Sequence, residues 1–266
     1  MAHPAQRRFI ELVNEHILKQ ARPRRILEVG SYNVLGTVRD LFPDATSYIG
    51  ADLIAGPGVD MVKSGHEIDL ESNSLDLALS CECFEHNPYW LETFLNMVRM
   101  TRPGGLIVFT CASRGRLEHG TARSGARMSL GTQSVGWQYY RNLRQPDFEK
   151  RVDLAKHFAI YRFYYIWGSA DLYFFGIKKG GELTEFDLPA LEREVARIRR
   201  GERRRDQPLS AAKRVLWAAY QTPIVGASFF LDDKSFQNFA LAYIDVRTDI
   251  MRKVRSVAFW LFGWRI

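Results

Sequence analysis

Three short runs in the first half of the chain set acidic side chains beside glycine or histidine, where binding or proton transfer could be done. The first, Ile26-Leu-Glu-Val-Gly30, is an apolar run that closes on an acidic-x-Gly turn. A glycine at such a turn lets the backbone approach a bound cofactor. The turn would also stand at the carboxyl end of a strand, where open α/β sheets take their ligands. An ordinary tight turn reads the same way, and Tyr32 and Val34 occupy positions where a fuller glycine-rich loop has glycines. The second is Asp52, which closes the run Ser47-Tyr-Ile-Gly-Ala-Asp52, 24 positions beyond Glu28. A carboxylate there can accept both hydroxyls of a ribose, or it can be a solvated loop aspartate. The third is a set: Ser74-Leu-Asp76, Phe84-Glu-His86 and Arg102-Pro-Gly-Gly105.

Histidine is the side chain whose ordinary titration lies near neutrality, so His86 can serve as a general base for a hydroxyl. It can equally be a structural cap on the helix that Pro88 opens. His119 falls in an irregular stretch and reads as base, substrate ligand or solvated loop residue. Tyr139 and Tyr140 form either an aromatic wall for an acceptor or simple packing, and His66 reads as surface or as support behind the site. No acid–histidine set stands at clear metal spacing, so no metal is assigned.

Taken in order, Glu28-Val-Gly30, Asp52, Ser74-Leu-Asp76, Phe84-Glu-His86 and Arg102-Pro-Gly-Gly105 make residues 1–181 resemble the small-molecule and glycan branch of the class I S-adenosylmethionine (SAM) dependent methyltransferase family. Glu118-His-Gly-Thr121 with Tyr139-Tyr-Arg-Asn-Leu143 is similar to a bacterial subset of it. The resemblance implies an α/β fold: a Rossmann-like, mostly parallel seven-stranded sheet with a terminal antiparallel hairpin strand. It also implies SAM as cofactor. Glu28, Gly30 and Ser31 would lie at the methionine end, Asp52 on the ribose and Leu53 on the adenine. Ser64 and Gly65 stand where many relatives contact the adenine amino group through an Asp, and Ser80, Cys81 and Glu82 would border the sulfonium. The implied reaction is methyl transfer to a small-molecule or glycan acceptor, at oxygen, with His86 or His119 as catalytic base.

The elements that must position these residues follow from periodicity. Phe9, Leu12, Val13, His16 and Ile17 predict an amphipathic lead-in helix over 6–20, stopped by Pro23. Strands are predicted at 25–30, 47–53, 74–80 and 106–111, with a short helix at 37–42 and another from Pro88 to Met100 on the stripe Trp90, Phe94, Met97 and Val98. Pro103-Gly-Gly105 is expected to break the chain. Two aromatic runs, 158–167 and 171–178, joined by Gly168-Ser-Ala170, predict a hairpin. Residues 113–147 lose periodicity and are assigned to an acceptor-binding loop. Residues 182–266 are expected to form a helical C-terminal extension, with a weak stripe of Leu191, Val195 and Ile198, a hinge at 203–208, and helices at 210–220 and 233–264.

The chain carries 37 Lys and Arg against 30 Asp and Glu, a formal net charge of +7, with arginines concentrated between Arg193 and Arg205. That balance leaves open an RNA-directed methyltransferase, a protein that keeps the fold as a non-catalytic scaffold, or a solvated helix face with no ligand. The basic and aromatic stretch 251–266 could lie on an anionic membrane, pack on its own domain, or join a second copy. Three cysteines, Cys81, Cys83 and Cys111, make no disulfide framework. With neither a leader-like apolar run nor a spanning one, a cytoplasmic or membrane-peripheral location is expected.

Overall fold

The structure is a computed structural model and describes residues 4–18, 22–34, 36–182, 186–199 and 222–262. The chain divides into two compact units, Met1–Asp206 and Gln207–Ile266.

The first unit is built on a seven-stranded sheet: β1 (Arg25–Val29), β2 (Ser47–Asp52), β3 (Met61–Val62), β4 (Leu75–Cys81), β5 (Thr101–Ala112), β6 (Phe158–Ile166) and β7 (Asp171–Lys178). Their spatial order is β3-β2-β1-β4-β5-β7-β6. The first five are parallel, while β7 runs antiparallel to both β5 and β6. The expected α/β sheet with a terminal antiparallel hairpin is therefore present. Successive side chains of a strand face opposite ways, and both faces are apolar here, as a covered parallel sheet requires. Leu27, Val29, Ala78, Ile107, Phe109, Leu172 and Phe174 pack on one face, under helix α2 (Trp90–Met100). Ile26, Leu77, Leu79, Val108, Tyr173 and Phe175 pack on the other, under helix α1 (Pro4–Val13). All four stripe residues of α2 are buried.

Three predicted boundaries differ. The lead-in helix ends at Val13 and continues as a π turn, Asn14–Leu18. The helix expected at 37–42 is one 3-10 turn, Arg39–Leu41. Thr37 is diverted from helical bonding: its hydroxyl accepts from Arg39 N and its carbonyl from Arg7 Nη1. Strand β5 is not broken at Pro103-Gly-Gly105 but starts at Thr101 and bulges, pairing Thr101 with Leu75 and Leu106 with Leu77.

Asp76 faces that bulge. Its carboxylate accepts from Arg102 Nε at 2.6 Å and from the backbone N–H groups of Arg24 and Arg25 at 2.9 and 2.8 Å. The Ser74-Leu-Asp76 and Arg102-Pro-Gly-Gly105 motifs are thus one clamp, fixing the β4–β5 bulge to the entry of β1. Burial alone would raise the Asp76 pKa, but these three donors outweigh it and hold the group below the usual carboxylate range. A depressed carboxylate stabilises above its unfolded pKa, and that stability is lost as pH falls through the folded value. Asp76→Ala is expected to cost about 1–2 kcal/mol near neutral pH. Urea unfolding checks it, and the deficit should shrink as the pH is taken below about 4.

The helix Leu188–Arg199 also belongs to the first unit. Its stripe residues Leu191 and Val195 are buried in the α1-side core, and Asp187 N bonds to His16 O at 2.9 Å. In the second unit residues 222–230 are helical, followed by the helix Asp233–Phe262. No helix among the described residues is long and apolar enough to cross a membrane. The predicted hinge at 203–208 and helix at 210–220 lie outside the described residues, as do residues 263–266 of the last predicted helix.

Candidate functional site

A cleft opens at the carboxyl ends of β1, β2 and β4, with about 1050 Å³ of empty space up to and including its mouth. Gly30 makes the turn out of β1 at φ +82°, and a β-carbon there would lie 2.7 Å from that of Cys83. Only glycine meets both demands, the left-handed backbone and the close approach.

Asp52 ends β2 at the cleft wall. Its Oδ2 accepts from Tyr32 N at 3.1 Å and its Oδ1 from Leu53 N at 2.7 Å, so it ties the turn after β1 to the turn after β2. A carboxylate has about four acceptor positions, which leaves lone pairs for a ligand. Burial raises the Asp52 pKa, against the two amide bonds.

Residues 113–147 are an ordered cover rather than a structureless loop. Leu143 N bonds to Ala112 O, Arg141 N to Glu85 O, Asn142 Nδ2 to Arg116 O and Gln133 Nε2 to Gly120 O. Within the cover lies α3, Leu130–Ser134. Met128 to Thr132 line the cleft opposite Leu53, and a β-carbon at Gly131 would come within 2.7 Å of Asp52 Oδ1. The cover closes directly over the Asp52 carboxylate because residue 131 has no side chain.

Of the residues singled out from sequence, Gly30, Asp52, Leu53, Ser64, Gly65, Glu82, His86 and His119 all line this one cleft. Six others do not. Glu28 lies on the opposite face of β1 and accepts from Tyr48 Oη at 2.7 Å; burial pushes its pKa up against that bond. Ser31, Ser80 and Cys81 are buried and do not line the cleft, Cys81 packing in the α1-side core. Tyr139 packs on the α2-side core. Tyr140 stands behind the histidines, its ring 5.4 Å from that of His86 and 5.1 Å from that of His119. Sequence reading passed over Lys63, Cys83, Asn87, Arg116 and Trp137, which complete the wall.

Buried charge collects at one end. Arg116 lies 3.7 Å from Asp171 and 4.0 Å from Glu82. Burial works against the arginine charge, and Asp171 and Glu82 outweigh it. His86 is pushed down to about 3 by burial and by the neighbouring His119, whose own value burial also lowers. Burial therefore favours the neutral form of both imidazoles, in which one ring nitrogen of each keeps a lone pair.

Residues 36–109 match the family model of the methyltransferase domain. Over 68 residues the chain is 34% identical to an uncharacterized methyltransferase of Mycobacterium bovis (strain BCG / Pasteur 1173P2), and equally to its counterpart in strain ATCC BAA-935 / AF2122/97. Those alignments cover 26% of this chain and span only 27% of the length of each relative. Among solved structures, a Burkholderia thailandensis 1,6-didemethyltoxoflavin-N1-methyltransferase, with 1,6-didemethyltoxoflavin and S-adenosylhomocysteine bound, is 16% identical at a TM-score of 0.47, covering 66% of this chain and 79% of that one. The N-methyltransferase NodS of Bradyrhizobium japonicum WM9, in complex with S-adenosylhomocysteine, is 14% identical at 0.43, covering 67% and 89%. The domain match falls on residues 36–109, within the region whose motifs resemble the class I SAM-dependent methyltransferases.

Proposed function

We propose that the first unit binds SAM across the carboxyl ends of β1 and β2 and transfers its methyl group to an oxygen of a small-molecule or glycan acceptor. The observation that carries this reading is Asp52: a half-buried carboxylate at a strand end, anchored through two backbone amides, that lines the cleft. That donor set fits a ribose, whose two adjacent hydroxyls need acceptors. Gly30 would let the cofactor's methionine end approach the backbone, while Leu53, Ser64 and Gly65 would flank the adenine.

Bound SAM supplies an already activated sulfonium methyl, so the protein's contribution is in-line positioning and exclusion of water. The cover over Asp52 performs both. On the acceptor side, Asn87 and Arg116 provide hydrogen-bonding groups and Trp137 an apolar wall. His86 and His119 present unprotonated nitrogens to the acceptor hydroxyl.

Calorimetric titration of the full chain with SAM and with S-adenosylhomocysteine should show one saturable site; no binding of either would favour a scaffold role. His119→Ala is expected to lower turnover by about 100-fold with little change in SAM affinity. A parallel loss of affinity would take His119 off the acceptor side.

A further inference from the structure

We propose that Glu85, His86 and His119 form a binding site for one divalent transition-metal cation of the zinc class, at the acceptor end of the cleft.

One ligating atom from each of these residues lies within 4.8 Å of the other two. Glu85 and His86 sit side by side on the 3-10 turn Phe84–His86. That turn is pinned by His86 N on Cys83 O, by Asn87 N on Phe84 O, and from the cover by Arg141 N on Glu85 O. His119 arrives from the cover, and its ring centroid is 4.9 Å from that of His86.

The second observation is an unmet demand. Glu85 is fully buried, and neither carboxylate oxygen has a hydrogen-bond partner. His86 is 6% exposed, and its Nδ1 is likewise without one. A buried polar group left in this state costs about 1–3 kcal/mol, and a charged one more. No step in SAM binding repays that cost.

A cation does repay it. His119 Nδ1 lies 3.0 Å from the carbonyl oxygen of Leu117, which can only accept, so that nitrogen carries the proton and Nε2 keeps its lone pair. Metal-bound histidines are commonly oriented in this way. Arg116 lies 3.7 Å from Asp171 and 4.0 Å from Glu82, and a divalent ion would add positive charge to this carboxylate-rich end of the cleft. Two imidazoles and one carboxylate suit zinc or ferrous iron better than calcium or magnesium, which prefer oxygen. Ligands of a tetrahedral zinc are about 3.4 Å apart, so the three side chains must draw in by about an ångström. His86 and His119 both line the cleft, so an open coordination position would face it, as in catalytic rather than structural zinc sites. With the ion bound, the two imidazoles are ligands rather than free bases, and polarising an acceptor hydroxyl at the ion would take the place of that role; this part rests on the methyl-transfer reading, whereas binding of the ion does not.

The test uses the chelator-treated full chain titrated with zinc chloride alone, without SAM. One ion per chain should bind with a Kd in the micromolar range or tighter and raise the melting temperature. E85Q, which keeps the shape of the side chain, and H119A, at the cleft wall, should each weaken binding by roughly tenfold or more. H157A, a histidine outside the cluster, should leave it unchanged. Absence of one-to-one binding, or wild-type affinity in a folded E85Q or H119A, would overturn the proposal. Failure of SAM binding would be seen separately and leave this result intact.

Discussion

Asp52→Ala is expected to weaken SAM binding by about 100-fold, measured by calorimetry, while the circular dichroism of the protein is retained. The carboxylate would accept two ribose hydroxyls, and each hydrogen bond to a charged group contributes about 1.5–3 kcal/mol. A combined loss of about 3 kcal/mol is two orders of magnitude in affinity. Asp52→Asn keeps the shape but loses the charge and should fall between. The fold survives because Asp52 joins two turns at the sheet edge rather than packing in a core. Wild-type affinity in Asp52→Ala would remove the ribose assignment.

Phe109→Ala should cost about 3–5 kcal/mol of stability. Its fully buried ring stacks on Phe148 at 4.9 Å and on Phe174 at 4.8 Å, and it meets Phe84 at 5.0 Å. Removing it opens the centre of the α2-side core, where strand, hairpin and cover converge, and close packing allows only partial collapse into the void. Chemical unfolding of Phe109→Ala checks this. A loss below about 1 kcal/mol would show that the cluster re-packs freely.

The strands were legible because each is a continuous apolar run, and a sheet covered on both faces demands that composition. The hairpin was legible for a related reason, since two aromatic runs flank a Gly-Ser turn. The short helix after β1 was misjudged: Arg7 takes the Thr37 carbonyl from across the fold, while the Arg39 N–H donates locally to the Thr37 hydroxyl. Strand β5 outlasts its Pro-Gly-Gly because the clamp on Asp76 absorbs the extra residues as a bulge.

At the site, residues defined by position along a strand were readable. Asp52 and Gly30 follow from where a strand ends. Glu28 was recognised by type but not by direction: one residue before Val29, the alternation of β1 turns it to the other face. Residues brought by the cover were harder to see. Arg116, Trp137 and Met128 to Thr132 lie in a stretch without periodicity, and the helix within it is only five residues long. The Glu85–His86–His119 cluster had no sequence spacing to betray it, because 33 positions separate its two histidines. Of the arginines between 193 and 205, Arg197 is paired with Glu194 on a helix whose other face is buried. That pairing suits a solvated helix face.

A crystal structure of the protein with S-adenosylhomocysteine would bear most directly on the adenosyl site. The ribose hydroxyls should lie within hydrogen-bond distance of Asp52, with the adenine against Leu53 and the sulfur facing Glu82 and His86. Density for the ligand elsewhere, or a cleft still empty at saturating concentration, would contradict it.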